Sequence, residues 1–220
     1  MPAKNVDLHG SIPDNAKVAL LLIDVVNDLE FEGGKQLLKH ALPMANRIAD
    51  LKRRCKENGI PTIYVNDNFG RWQSDFKKLL SHCLDAEVIG KPMVEKVKPD
   101  EDDYFVLKPK HSGFFSSTLD TLLEYLQAET LILAGIAGNI CVLFTANDAY
   151  MRDFNLIVPS DCVASNTERE NEEALRLMAS VLKANITPSI ELDLKALQTR
   201  PNSGSKHAGV QESGALMRAR

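Results

Sequence analysis

The chain has no Cys-x-x-Cys pair, no Gly-x-Gly-x-x-Gly fingerprint, no Walker lysine, no internal repeat and no apolar run near the roughly 18 residues of a membrane span. Each absence closes a class. The four cysteines, Cys55, Cys83, Cys141 and Cys162, are widely scattered, which rules out zinc-site spacing and leaves reduced thiols as the default. Residues 1–10 are polar and carry no apolar signal core, so a soluble, cytoplasmic protein is expected. Basic clusters are missing apart from Lys52-Arg53-Arg54, which reads as a solvated helix face. With a formal net charge of −4 and a pI near 5.8, neither a nucleic-acid surface nor a membrane partner is indicated.

What is present suits one domain. Of 220 residues, 44% are hydrophobic and 25% charged, enough for a substantial core and too few residues for a second domain. Short apolar runs at 18–23, 62–65, 104–107, 131–134, 156–158 and 189–192 read as six strands. Helical patterns at 35–58, 117–127, 140–151 and 168–184 separate most of them. This alternation predicts an α/β fold, a Rossmann-like three-layer α/β/α sandwich with a six-stranded, mainly parallel sheet. Gly59, in Asn58-Gly59-Ile60-Pro61, suits a left-handed helix stop, while Pro43 suggests a kink or a late start of the first helix. The less regular stretch 71–97, with an amphipathic piece near 76–84, reads as an excursion over a cleft. The domain is expected over residues 1–199, and 200–220, rich in Gly, Ser and small polar residues, as a flexible tail.

Three of the predicted strands stop at residues with chemistry. The run Val18-Ala19-Leu20-Leu21-Leu22-Ile23 ends in Asp24, and Tyr104-Phe105-Val106-Leu107 ends in Lys108. Thr130-Leu131-Ile132-Leu133-Ala134 breaks into Gly135-Ile136-Ala137-Gly138-Asn139-Ile140-Cys141-Val142, a turn that delivers Cys141 onto a new helix. A cysteine in apolar surroundings is by itself ordinary core filler. Sites in open α/β sheets form outside the carboxyl ends of the strands, so one cleft can collect the acid, the amine and the thiol. A helix N-terminus and a nearby ammonium both favour thiolate. Cys162 is read as packing and His111 as a supporting or packing residue.

Asp24 in Asp24-Val25-Val26-Asn27-Asp28-Leu29, Lys108 in Lys108-Pro109-Lys110-His111-Ser112-Gly113-Phe114, and Cys141 in its turn together resemble the three motifs of the isochorismatase-like cysteine hydrolases. That superfamily includes nicotinamidases, N-carbamoylsarcosine amidases and isochorismatases, and the resemblance runs from about Lys17 to about Ile190. The first motif of the family commonly reads Asp-x-Gln-x-Asp-Phe, whereas Val26 and Leu29 stand at the Gln and Phe positions here. The resemblance implies Cys141 as nucleophile, Asp24 as base and then acid, and Lys108 as the cation between them. It also implies an oxyanion hole from the N–H groups of Ala137 and Cys141, beside a cis peptide bond at Ile136-Ala137. Nicotinamidases place an Asp-x-His pair and a further His after the second strand as metal ligands; this chain reads Asn66-Asp67-Asn68-Phe69-Gly70-Arg71-Trp72. No metal and no cofactor are therefore expected.

The indicated reaction is cleavage of a C–N bond in a small amide or carbamoyl-type molecule through a thioester. Phe31, Asn68, Trp72 and Phe114 are candidate pocket walls. An isochorismatase-type cleavage of a vinyl ether stays open, as does a non-enzymatic Rossmann-like scaffold that binds a partner or senses oxidants through Cys141. The family also implies a homo-oligomer, a dimer or tetramer.

Overall fold

The structure is a computed structural model, and it describes residues 15–69, 75–85 and 87–199. The tail expected at 200–220 lies outside the described residues. Six strands form one sheet: β1 (Val18–Ile23), β2 (Thr62–Asp67), β3 (Tyr104–Lys108), β4 (Thr130–Ile136), β5 (Asn155–Ile157) and β6 (Val163–Ala164). Their order is β3-β2-β1-β4-β5, with β6 also on β4, and every pairing is parallel. This is the predicted α/β class.

Parallel neighbours demand crossovers, and helices supply them on both faces. One face carries α1 (Gly34–Glu57), α2 (Phe76–Asp85) and the short α3 (Lys91–Val94); α4 (Leu119–Leu126), α5 (Leu143–Tyr150) and α6 (Glu168–Ser180) cover the other. A last short helix, α7 (Leu194–Thr199), follows. Every residue of β1 is buried, as expected of a strand covered on both sides. Leu20 and Leu22 join Met44, Ile48 and Leu51 in one apolar core, while Ala19, Leu21 and Ile23 join Leu119, Leu123 and Met178 in the other. Among the described residues no helix is long and apolar enough to cross a membrane.

Two expectations need correction. Segment 189–192 is not a strand: Ser189–Glu191 is a 3-10 turn, and the sixth strand is the two-residue β6. The peptide groups there are taken by side chains. Asp161 accepts from the Ser189 N–H at 2.7 Å and from its hydroxyl at 2.8 Å, while the Arg54 guanidinium donates to the carbonyls of Ser189 and Leu192. The first helix does not start late at Pro43 either, but runs through it from Gly34. Pro43 and Lys39, whose carbonyl an interior proline deprives of its donor, both lie on the exposed face. Gly59 has φ 67°, and the Ile60 N–H closes the helix end on the Cys55 carbonyl at 2.9 Å.

The chain winds outward from β1 through β2 to β3, then returns to the other side of β1 as β4. The crevice where that order reverses is where α/β sheets place their sites. Gly135, opposite Ile23 in the ladder, has φ 126°, and a Cβ there would lie 2.1 Å from the Ile23 carbonyl oxygen. Only glycine keeps β1 and β4 paired to the rim of the crevice. Gly135→Ala should therefore cost about 2–4 kcal/mol, read as a lowered midpoint in equilibrium urea unfolding. A midpoint equal to the parent's would show that the strand ends tolerate a side chain.

Candidate active site

Strand ends set the geometry. Asp24 leaves β1 with φ 51°, its N–H still donating to the Val65 carbonyl at 2.9 Å. Its side chain turns across the end of β2, where Oδ1 accepts the Asp67 N–H at 2.7 Å. Lys108, the last residue of β3, is fully buried, and its Nζ lies 2.8 Å from Asp24 Oδ2. The same ammonium donates to the Lys110 carbonyl at 3.1 Å, stands 3.7 Å from Asp67 Oδ2 and reaches Cys141 Sγ at 3.6 Å. The three residues that the sequence picks from distant motifs thus meet around one cation.

Cys141 arrives by a tight path. The Ile136-Ala137 peptide bond is cis, Ala137 is extended, and Gly138–Val142 form a π-helical turn that leads into α5. In this turn the Ala137 carbonyl accepts from both Ile140 and Val142. A Cβ on Gly138 would fall 2.5 Å from Asn171 Oδ1 and 2.6 Å from Val163 Cγ1, so the turn is pressed against β6 and α6. Of the four cysteines Cys141 alone is not buried; Cys162 packs in the core, as expected.

The sulfur does not rest as thiolate. Burial pushes the Cys141 thiol up to about 12, the Asp24 charge adds to this, and Lys108 only partly opposes it. This reverses the expectation from helix terminus and ammonium alone: two carboxylates, Asp24 and Asp67, face the single cation. Burial also raises the Asp24 carboxyl, with Lys108 holding part of that back. For Lys108, burial acts downward and is outweighed by Asp24 and Cys141, which leaves the ammonium firmly protonated.

Asp67 was not singled out by the sequence because the apolar run of β2 stops at Val65, whereas the strand continues two residues further. The rule that found the other three, chemistry at a strand end, would have found it. A metal does not fit there. Asp67 Oδ1 accepts the Phe69 N–H at 2.6 Å, and its other oxygen faces the Lys108 ammonium, which repels a second cation. Phe69 and the amides of Asn66 and Asn68 offer no imidazole.

The proposed pocket walls scatter. Phe31 is half exposed on the loop after β1, and Asn68 is buried beside the site, its N–H donating to the Lys108 carbonyl at 2.9 Å. Phe114 sits in the core, its ring 6.0 Å from that of Phe154 and covered by the Arg152 guanidinium. Trp72 lies outside the described residues. Val26 and Leu29, the departures in the first motif, are fully buried core residues.

A cysteine, an acid and a lysine thus meet at the switch point of a parallel sheet. The profile of the Isochorismatase domain family matches residues 18–189, and the chain belongs to that family. It is 46% identical over 172 residues to the uncharacterized isochorismatase family protein YaaI of Bacillus subtilis (strain 168), covering 78% of this chain and 94% of the relative. Among solved structures, it is similar to N-carbamoylsarcosine amidase from Thermoplasma acidophilum, with 25% identity, a TM-score of 0.63, and coverage of 80% of this chain and 99% of that one. Nicotinamidase PncA from Bacillus subtilis gives 27% identity and a TM-score of 0.60, covering 78% and 99%.

The electrostatics make a prediction that needs no substrate. Alkylation of Cys141 by iodoacetamide should be slow at neutral pH, with a midpoint well above the ~8.5 of an exposed thiol. Asp24→Asn removes the charge that opposes ionisation and should lower the midpoint; Lys108→Met removes the favourable charge and should raise it further. Midpoints that stay put in both variants would mean that neither group acts on the sulfur.

Proposed function

We propose that this chain is a metal-independent cysteine hydrolase that cleaves the C–N bond of a small amide or carbamoyl-type molecule through a Cys141 thioester. The observation that carries the reading is one ammonium, Lys108, within 2.8 Å of an acid and 3.6 Å of a sulfur. Burial and the Asp24 charge keep the thiol's proton on sulfur, so attack and proton transfer go together. Cys141 Sγ bonds to the carbonyl carbon while its proton passes to Asp24, whose raised affinity for a proton suits it to the task. Negative charge leaves the carboxylate for the substrate oxygen, where the N–H groups of Ala137 and Cys141 would receive it. Collapse of the tetrahedral adduct expels the nitrogen, which takes the proton from Asp24. The thioester is then hydrolysed.

A second reading has one observation behind it. A carboxyl raised by burial is also what acid-driven vinyl-ether cleavage uses, and that reaction needs no thiol. Oxidant sensing is poorly served, since a thiol pushed up to about 12 holds little thiolate.

A panel of small amides, ureas and carbamoyl compounds, scored for ammonia release, should yield a substrate whose turnover falls at least about 10³-fold in Cys141→Ala and about 10²- to 10⁴-fold in Asp24→Asn. Turnover should survive exhaustive treatment with EDTA. Full activity in Cys141→Ala would transfer the case to the acid mechanism.

A further inference from the structure

Cys141 has a nitrogen on its wet side as well as its dry one. His111 Nδ1 lies 3.9 Å from Sγ, and the imidazole is tilted against Phe144 with ring centroids 5.5 Å apart. His111 is exposed, whereas Asp24 and Lys108 are buried, so the sulfur is bracketed by an open base and a closed ion pair.

The placement is built, not left to a loose loop. On one side of His111, the Lys110 carbonyl accepts from Lys108 Nζ at 3.1 Å. On the other, the Ser112 hydroxyl donates to Asp148, and the Gly113 N–H donates to Thr145 Oγ1 at 3.0 Å. Thr145 in turn donates to the Cys141 carbonyl at 2.7 Å. Both neighbours of the histidine are therefore tied either to the ammonium that touches the sulfur or to the helix that begins beside it.

We propose that His111 is a catalytic residue, the base that activates water in the second half of the reaction; the inference rests on the hydrolase reading above. Asp24 ends the first half as a carboxylate, with Oδ1 on the Asp67 N–H and Oδ2 on Lys108. It is buried, whereas His111 lies on the exposed side of the sulfur. Departure of the amine opens the exposed flank of the thioester, where water enters next to the imidazole. As the water oxygen bonds to the acyl carbon, one of its protons passes to His111 Nδ1. When the C–S bond breaks, its electron pair goes to sulfur, and the imidazolium returns the proton to Sγ. Thiol, neutral imidazole and Asp24 carboxylate are restored, and one amide and one water have become an acid and an amine.

The test uses p-nitrophenyl acetate on the full chain, because nitrophenolate release reports acylation and protein mass reports acetyl-Cys141. In His111→Gln, acylation should stay fast while the acetyl adduct decays about 10²-fold more slowly than in the parent. His111→Ala should behave alike, and added imidazole should restore the decay, a rescue that a packing role against Phe144 would not produce. Acetyl-Cys141 that decays as fast in both variants as in the parent overturns the role of His111 and leaves the hydrolase reading standing. A parent protein that never becomes acetylated at Cys141 fails that reading, and the proposal falls with it.

Discussion

A lysine ammonium with no access to water is the group on which the arrangement of this molecule turns. Burying such an ion costs several kcal/mol unless every proton finds an acceptor. Lys108 meets that demand with Asp24 Oδ2, the Lys110 carbonyl, Cys141 Sγ and Asp67 Oδ2, all within 3.7 Å. These acceptors come from the ends of β1 and β2, from the turn after β3 and from the turn after β4. Asp67 pairs with Lys108 in the ladder, and Ile23, just before Asp24, pairs with Val65. A slip of one residue in β3 would turn the lysine to the opposite face and strand its charge among the apolar side chains of the first core. The ion pair is thus a condition on register as well as a reagent.

The same cation does not keep the thiol ionised, because burial and the Asp24 charge outweigh it. Helix termini act on a neighbouring charge at about 0.3–1 kcal/mol near a surface. A sulfur withdrawn from water beside a carboxylate faces a larger opposing effect, and its midpoint moves up to about 12. A protonated thiol beside an acid placed to take its proton is an arrangement from which attack and proton transfer can be concerted. During such a step the proton passes from Sγ to Asp24 while Lys108 stays within 3.6 Å of both Oδ2 and Sγ, so the cation remains beside the reacting groups.

The fold class, the parallel sheet and the meeting of Asp24, Lys108 and Cys141 were legible because each depends on a run of apolar residues and on what ends it. β1 reads from six consecutive buried side chains and one abrupt acid. What was not legible depends on partners distant in the chain. Segment 189–192 has strand-like composition, yet its peptide groups are claimed by Arg54 and Asp161, which no local window contains. Pro43 breaks helices on average, but here it lies on a solvent-facing side of α1 whose Ala41, Met44, Ala45 and Ile48 are anchored in the core. Phe114 has the composition of a pocket wall, and only the position of Phe154 and Arg152 makes it core. The distance of His111 from Cys141 is likewise set by its two hydrogen-bonded neighbours, Lys110 and Ser112, a feature of the turn and not of its composition.

Backbone conformation around the crevice has a cost of its own. Asp24, Leu29 and Phe69 all have positive φ, at 51°, 56° and 52°, and none is glycine. Such residues hold roughly 1–3 kcal/mol of strain each unless the surroundings fix them. Here the surroundings do: Asp24 is tied to Val65, Asp67 and Lys108, the Leu29 N–H donates to Asn27 Oδ1 at 2.8 Å with its side chain fully buried, and the Phe69 N–H donates to Asp67 Oδ1 at 2.6 Å. The loop after β1 is further held by His82 on the Asp28 carboxylate, the Ile89 N–H on Glu30 and the Gly90 N–H on the Asp28 carbonyl. Strain located at Asp24 turns the chain sharply at the end of β1, where its carboxylate meets the Asp67 N–H and the lysine on a third strand. Relaxed extended backbone at Asp24 would carry β1 past the crevice, and the cation would lose its nearest acceptor.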